Sequence, residues 1–222
     1  MSAAARVLSS FRASIGDVVF GMEDGAVSIF GLVFGVAVST DDPRTVLIAG
    51  ATGAAAAAVS MMAGSYLDAE SVRDARRARR DGPADPAAAR REAEAVAAAL
   101  ARGGMAEQDV RQVADALARA PRAAAGLRAE LADAEGASPV AQASWMFASD
   151  LVAGFTPVLP FAFLPMASAR LVSLALTATL LAALGVGRGL VAKRSTPRAV
   201  AETMAIAVSA ALAGVVMGRL LS

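Results

Sequence analysis

Apolar residues gather into five long runs, at about 17–39, 44–67, 143–167, 170–192 and 199–221. Each approaches the roughly 20 residues that a helix needs to cross a bilayer, so the pattern predicts an all-α protein with five transmembrane helices. The first run, DVVFGMEDGAVSIFGLVFGVAVS, is the least apolar. Without residues 17–24 it keeps only about 14 apolar residues, too short to span. If it spans, it must carry Glu23 and Asp24 inside it. An Asp at the centre of a membrane helix costs about 2.5 kcal/mol or more and persists only beside a cation, a proton or another polar group. Such a residue reads as a transport or ligand site; the plainer alternative is an Asp near a helix end that reaches water.

The turn Ser39-Thr40-Asp41-Asp42-Pro43 separates the first two runs, and its proline suits the first position of the next helix. Between 68 and 140 the pattern changes, with 12 Arg, 13 Asp or Glu and abundant Ala. This stretch predicts a soluble insert of three helices, near 87–102, 107–119 and 122–135. The stretch starts with ESVRDARRARR, a continuation of the second helix that breaks at Asp81-Gly82-Pro83. The expected organisation is spans 1 and 2 in 1–67, the insert in 68–140 and spans 3 to 5 in 141–222.

Three basic clusters set an orientation. Arg6 and Arg12 precede span 1, Arg73, Arg76, Arg77, Arg79 and Arg80 follow span 2, and Arg188, Lys193, Arg194 and Arg198 surround the turn between spans 4 and 5. All three fall on one side of the membrane. By the positive-inside rule the N-terminus and the insert are cytoplasmic and the C-terminus is outside.

Composition narrows the chemistry. Mean hydropathy is +0.54, and 56% of the 222 residues are hydrophobic, which points to a chain embedded in a lipid bilayer. Cysteine and histidine are both absent, excluding disulfides, thiolate zinc sites and His-ligated metals. A net charge of +1 gives no reason to expect a nucleic-acid partner. No nucleophile–base constellation or phosphate-binding loop is present, and GxG at 185–189 lies inside a span, so an enzyme is not expected. No cofactor is expected either. The first fifteen residues lack an apolar core followed by a cleavage site, and no signal peptide is read there. Arg-rich, Ala-rich coding with a single lysine suggests a bacterial plasma membrane.

At 100° per residue, Asp17, Gly21, Asp24, Gly25, Ser28, Gly31 and Gly35 share an arc of about 120° on span 1, while Glu23 points about 100° away from Asp24. The pairs Gly21/Gly25 and Gly31/Gly35 permit close helix approach, either in ordinary packing or to bring Asp24 against its own copy in a dimer. Span 2 carries Ser60-Met61-Met62-Ala63-Gly64-Ser65-Tyr66, with Met61 on a face with Gly64, Ser65 and Asp68. Methionine is usually core filler, but a thioether near a carboxylate suits Fe(II) far better than Mg(II). Span 3 holds Asp150, lining a pathway or sitting near the interface, and Pro157 and Pro160, which free backbone carbonyls at membrane depth.

The segments DVVFGMEDGAVSIFGLVFGVA and VLIAGATGAAAAAVSMMAGSYLDAESVRD, with GFTPVLPF and the final ALGVGRGLVAKRSTPRAVAETMAIAVSAALAGVVMGRLL, resemble the vacuolar iron transporter family over nearly the whole chain. The resemblance implies a five-helix homodimer that moves Fe(II), and often Mn(II), out of the cytoplasm in exchange for protons. It assigns Asp24 and Met61 to the metal path, and implies a three-helix cytoplasmic insert that collects metal with Glu and Met. The sequence departs from the family at Glu23, where Asn or a small residue is usual, at Ser65, where the family has Glu, and across the insert, where Ala replaces most of the acids. Glu130 carries over as a candidate ligand, Glu92 and Glu94 match loosely, and weak metal storage or none is expected there. The candidate metal residues are thus Asp24, Met61, Glu23, Glu130, Glu94 and Glu92. The alternative function is a membrane-anchored structural or regulatory protein with lost or altered transport.

Overall fold

The computed structural model describes residues 3–81, 86–120, 127, 138–191 and 193–221. The described residues contain no strand. In chain order the helices are α1 (Ala3–Ala13), α2 (Ile15–Ser39), α3 (Pro43–Asp81), α4 (Pro86–Arg102), α5 (Glu107–Arg119), α6 (Pro139–Phe155), α7 (Pro160–Phe163), α8 (Met166–Val191) and α9 (Thr196–Leu221). The chain forms two compact units, one of 1–67 with 138–222 and the other of 68–137.

Among the described residues four helices, α2, α3, α8 and α9, are long and apolar enough to cross a bilayer. The stretch 143–167, expected as one helix, is instead two. The 17-residue α6 ends at Phe155 and the four-residue α7 follows. The prolines cause this. Pro157 and Pro160 cannot donate to the helical ladder, and the amides of Thr156, Val158 and Phe161 turn to carbonyls three residues back. The Pro157 carbonyl left over is taken by the buried Ser173 hydroxyl of α8 at 2.7 Å, which meets the demand that backbone polar groups be satisfied in an apolar interior. Leu164 is extended ahead of Pro165.

α2 is the central element of the first unit. Its Ile29 and Val33 form a core with Val46 and Ala54 of α3 and Val158 and Phe161 beyond α6. Ala26 packs with Ala153 of α6, Leu181 of α8 and Ala207 of α9. The two glycine pairs of α2 are both used within the chain. A Cβ at Gly21 would meet Met146 and Ser149 of α6, and one at Gly25 would meet Asp150. At Gly31 and Gly35 it would meet Ala210 and Gly214 of α9. In the other direction, a Cβ at Gly214 would collide with the Gly31 carbonyl oxygen. Gly214→Ala should therefore lower the apparent Tm of the detergent-solubilised protein, by overpacking of about 1–3 kcal/mol. Gly187→Ala, where an added Cβ meets nothing within 4 Å, should be neutral or slightly stabilising. Equal behaviour of the two variants would contradict this packing.

Helix ends follow local chemistry. The Asp42 carboxylate accepts from the amides of Arg44 and Thr45, both at 3.1 Å, and from the Thr45 hydroxyl at 2.7 Å, capping α3. The Thr45 hydroxyl bond and these amides hold the Asp42 carboxyl below the usual carboxylate range. At the same end Arg170 donates to the carbonyls of Ala37 and Thr40 and lies 3.6 Å from Asp41. A cation there complements the C-terminus of α2. At the other end α1 rests on α6, where Phe11 and Trp145 meet edge to face with centroids 5.1 Å apart and the indole N–H of Trp145 donates to Ser10 Oγ at 3.2 Å.

In the second unit α4 and α5 pack on one another, with Ala93 and Val110 buried. Their bounds lie within a residue of the expected 87–102 and 107–119. The third expected helix, near 122–135, lies outside the described residues apart from Leu127.

Candidate metal site in the first unit

The site starts from α2, where Glu23 and Asp24 have separate surroundings. Glu23 is bound to its neighbours. Arg188 of α8 donates through Nη1 to both of its carboxylate oxygens, at 3.2 and 3.0 Å, and the Thr203 hydroxyl of α9 donates to Oε1 at 2.8 Å. Arg188 also donates to Glu202 at 3.2 Å, and Glu202 accepts from Arg198 at 3.2 Å and lies 3.8 Å from Arg194. Five charged groups thus link α2, α8 and α9, and the charge of Glu23 is compensated inside the bundle.

Asp24 is half-buried on the glycine face. Across the helix contact with α6, the acid beside Gly25 is Asp150. Asp150 is 1% exposed, and neither carboxylate oxygen has a hydrogen-bond partner among the described residues. Its Oδ1 would stand 2.8 Å from a Cβ at Gly25, so the carboxylate lies against α2 one residue from Asp24. Nine residues into α2 and eleven into α6, at 1.5 Å each, put the two acids at similar depth, about 14 and 17 Å from the helix starts.

Met61 of α3 is partly buried. α2 and α3 run antiparallel, with Gly50 against Val33 and Gly53 against Leu32 and Ile29. Extending that register puts Met61 level with Met22, within a turn of Asp24. α3, however, packs on the Ile29 and Val33 side of α2, about 140 to 180° around the helix from Asp24. Within one chain Asp24 and Met61 share a level but not a face. Asp24 instead lies one turn before Ser28, which lines an apolar groove of about 640 Å³ between α2 and α9.

The insert candidates lie in the second unit. Glu94 is exposed on α4. Glu92 is on the same helix, and Glu130 lies outside the described residues. Among the described residues no group of three or more acids converges as a metal site. Asp150 was absent from the sequence-derived ligand set. The available signal was its own placement, an acid in an apolar run at a depth matching Asp24.

A bundle of long apolar helices with acids set inside apolar stretches defines an integral membrane protein. Residues 15–219 match the VIT family, and the chain belongs to that family. It is 32% identical over 155 residues to vacuolar iron transporter 1 of Arabidopsis thaliana, an alignment covering 67% of this chain and 62% of that protein.

Proposed function

We propose that the protein carries Fe(II) or Mn(II) out of the cytoplasm in exchange for protons, as a homodimer in a bacterial plasma membrane. Asp24 is the observation that carries this reading: it is half-buried on the glycine face of α2, well inside that span, while the neighbouring Glu23 is engaged by Arg188. Asp24 binds the cation as a carboxylate, and Met61 supplies a soft sulfur that disfavours Mg(II). Arrival of the ion displaces protons from the acids, and its departure is followed by their return from the other side. Because Asp24 and Met61 occupy different sides of α2, a second copy against the groove between α2 and α9 would complete the surroundings of Asp24. The broken α6–α7 segment, 139–163, serves as the fifth crossing, its interruption covered by α8. The basic clusters support an orientation with the N-terminus and the insert in the cytoplasm and the C-terminus outside.

The decisive measurement is Mn(II) and Fe(II) flux in proteoliposomes under an imposed pH gradient. Uptake that collapses with the gradient is expected. The absence of flux at any gradient, with the protein folded, would favour the second reading, a membrane scaffold or regulator. That reading draws on the few acids of the insert and on the lack of a three-acid cluster among the described residues.

A further inference from the structure

We infer that Asp150 is a second carboxylate ligand for the transported cation, so that one divalent ion is held between α2 and α6 by Asp24 and Asp150 together. This rests on Asp24 being a cargo ligand, and extends that reading to a residue outside the candidate set drawn from the sequence.

Three observations converge on it. Asp150 is 1% exposed and both its oxygens lack a hydrogen-bond partner among the described residues. Buried polar groups are almost always satisfied, and a buried unpaired carboxylate calls for an explanation. The second observation is direction. Asp150 faces α2 at Gly25, a position where any Cβ would collide with its backbone carbonyl. The absence of a side chain at Gly25 is what allows this carboxylate to sit beside Asp24. The third is the disposition of the cations. Arg188, which could have neutralised an acid at this level, is committed to Glu23 and Glu202, and Arg170 lies at the opposite end, on Ala37, Thr40 and Asp41.

The surrounding side chains give Asp150 no substitute. Ser149 turns its hydroxyl to the Met146 carbonyl, and Ser173 gives its own to Pro157. Ala153, next on the same face of α6, packs into the apolar cluster of Ala26, Leu181 and Ala207. Two carboxylates on adjacent positions of one helix contact, in low dielectric, repel each other and attract a divalent cation strongly. Carboxylate oxygens bind hard and borderline divalent ions alike, so Asp150 adds affinity, while selection against Mg(II) stays with sulfur.

The test uses the purified full-length protein in detergent, with Mn(II) binding read from the loss of the free-ion EPR signal. Asp150→Asn, Asp24→Asn and the double variant are compared with wild type after size exclusion confirms folding. Each single variant should weaken binding at least tenfold. The double variant should lose much less than the two losses combined, because ligands of one ion are not independent. Wild-type affinity in Asp150→Asn, or fully additive losses, overturns the inference. A second measurement needs no variant: labelling of wild-type Asp150 by a hydrophobic carbodiimide, mapped by mass spectrometry, should be slowed by Mn(II). Labelling at Asp150 that Mn(II) does not slow also overturns the inference. If Asp150→Asn loses binding but wild type shows no flux in proteoliposomes, the site stands and the carrier reading fails. If wild type transports and Asp150→Asn both binds and transports equally well, the carrier reading stands and Asp150 is not a ligand.

Discussion

Asp24→Ala is expected to abolish Mn(II) flux in proteoliposomes while the protein remains folded. The two halves of that result have separate physical origins. Removing a ligand from a transport path takes away the oxygen that replaces the hydration shell of the ion. Loss of groups that only support metal ligands already lowers affinity about 10- to 100-fold, so loss of the ligand itself should reduce flux by at least about 100-fold at low metal. Stability should move the other way or not at all. A half-buried carboxylate at membrane depth is a destabilising group in the absence of its ion, and Asp24 carries no share of the Glu23–Arg188–Glu202 linkage. The apparent Tm of Asp24→Ala in metal-free detergent should therefore equal or exceed that of wild type. Flux at wild-type rates would remove Asp24 from the path, and a collapse of Tm would make it a structural residue.

Much of the helical arrangement is legible in the residues. The end of α2 at Ser39 and the start of α3 at Pro43 follow from Thr40-Asp41-Asp42-Pro43, because Asp42 caps and proline fits the first helical turn. The continuation of α3 to Asp81 follows from helix-forming Ala and Arg with no breaker before Gly82. Hydropathy alone misses the break after Phe155, since GFTPVLPF is apolar throughout; what ends the helix is the missing N–H groups of Pro157 and Pro160. The glycine face of α2 is visible as a period, but a period does not name the partner. Gly21 and Gly25 meet α6 whereas Gly31 and Gly35 meet α9, because α2 crosses both helices within one face. Angular separation of Glu23 from Asp24 is legible too. That Arg188, 165 positions away, closes on Glu23 is not. Asp150 shows the same limit, as its closeness to Asp24 is set by α6 running parallel to α2, a long-range pairing.

The Glu23–Arg188 pair supports a prediction of the opposite kind, in which stability changes and metal binding does not. Arg188→Ala should destabilise the protein, because it leaves Glu23 facing only the Thr203 hydroxyl and weakens the hold of α8 on α2 and α9. Removing one partner of a buried pair costs about 3–5 kcal/mol and of an exposed pair under about 1 kcal/mol. Here the Arg188 side chain is 33% exposed and that of Glu23 16%, so a loss of about 2 kcal/mol falls between those limits. Most of that loss is the unpaired Glu23, since Glu202 retains Arg198 at 3.2 Å and Arg194 at 3.8 Å. Glu23→Gln alone should lose less, because it keeps the Thr203 bond and Arg188 keeps Glu202. Combining Glu23→Gln with Arg188→Met should recover much of the stability lost in Arg188→Met, since no carboxylate is then left without its cation. Apparent Tm of the four proteins in one detergent reads this directly; a double variant no more stable than Arg188→Met would break the argument. Mn(II) binding to Glu23→Gln decides what the carboxylate is for. Retained affinity fits an acid held by Arg188, which allows the glutamate to sit inside α2 beside Asp24 without competing for the ion. A tenfold loss would instead make Glu23 a ligand, with Arg188 released when the metal arrives.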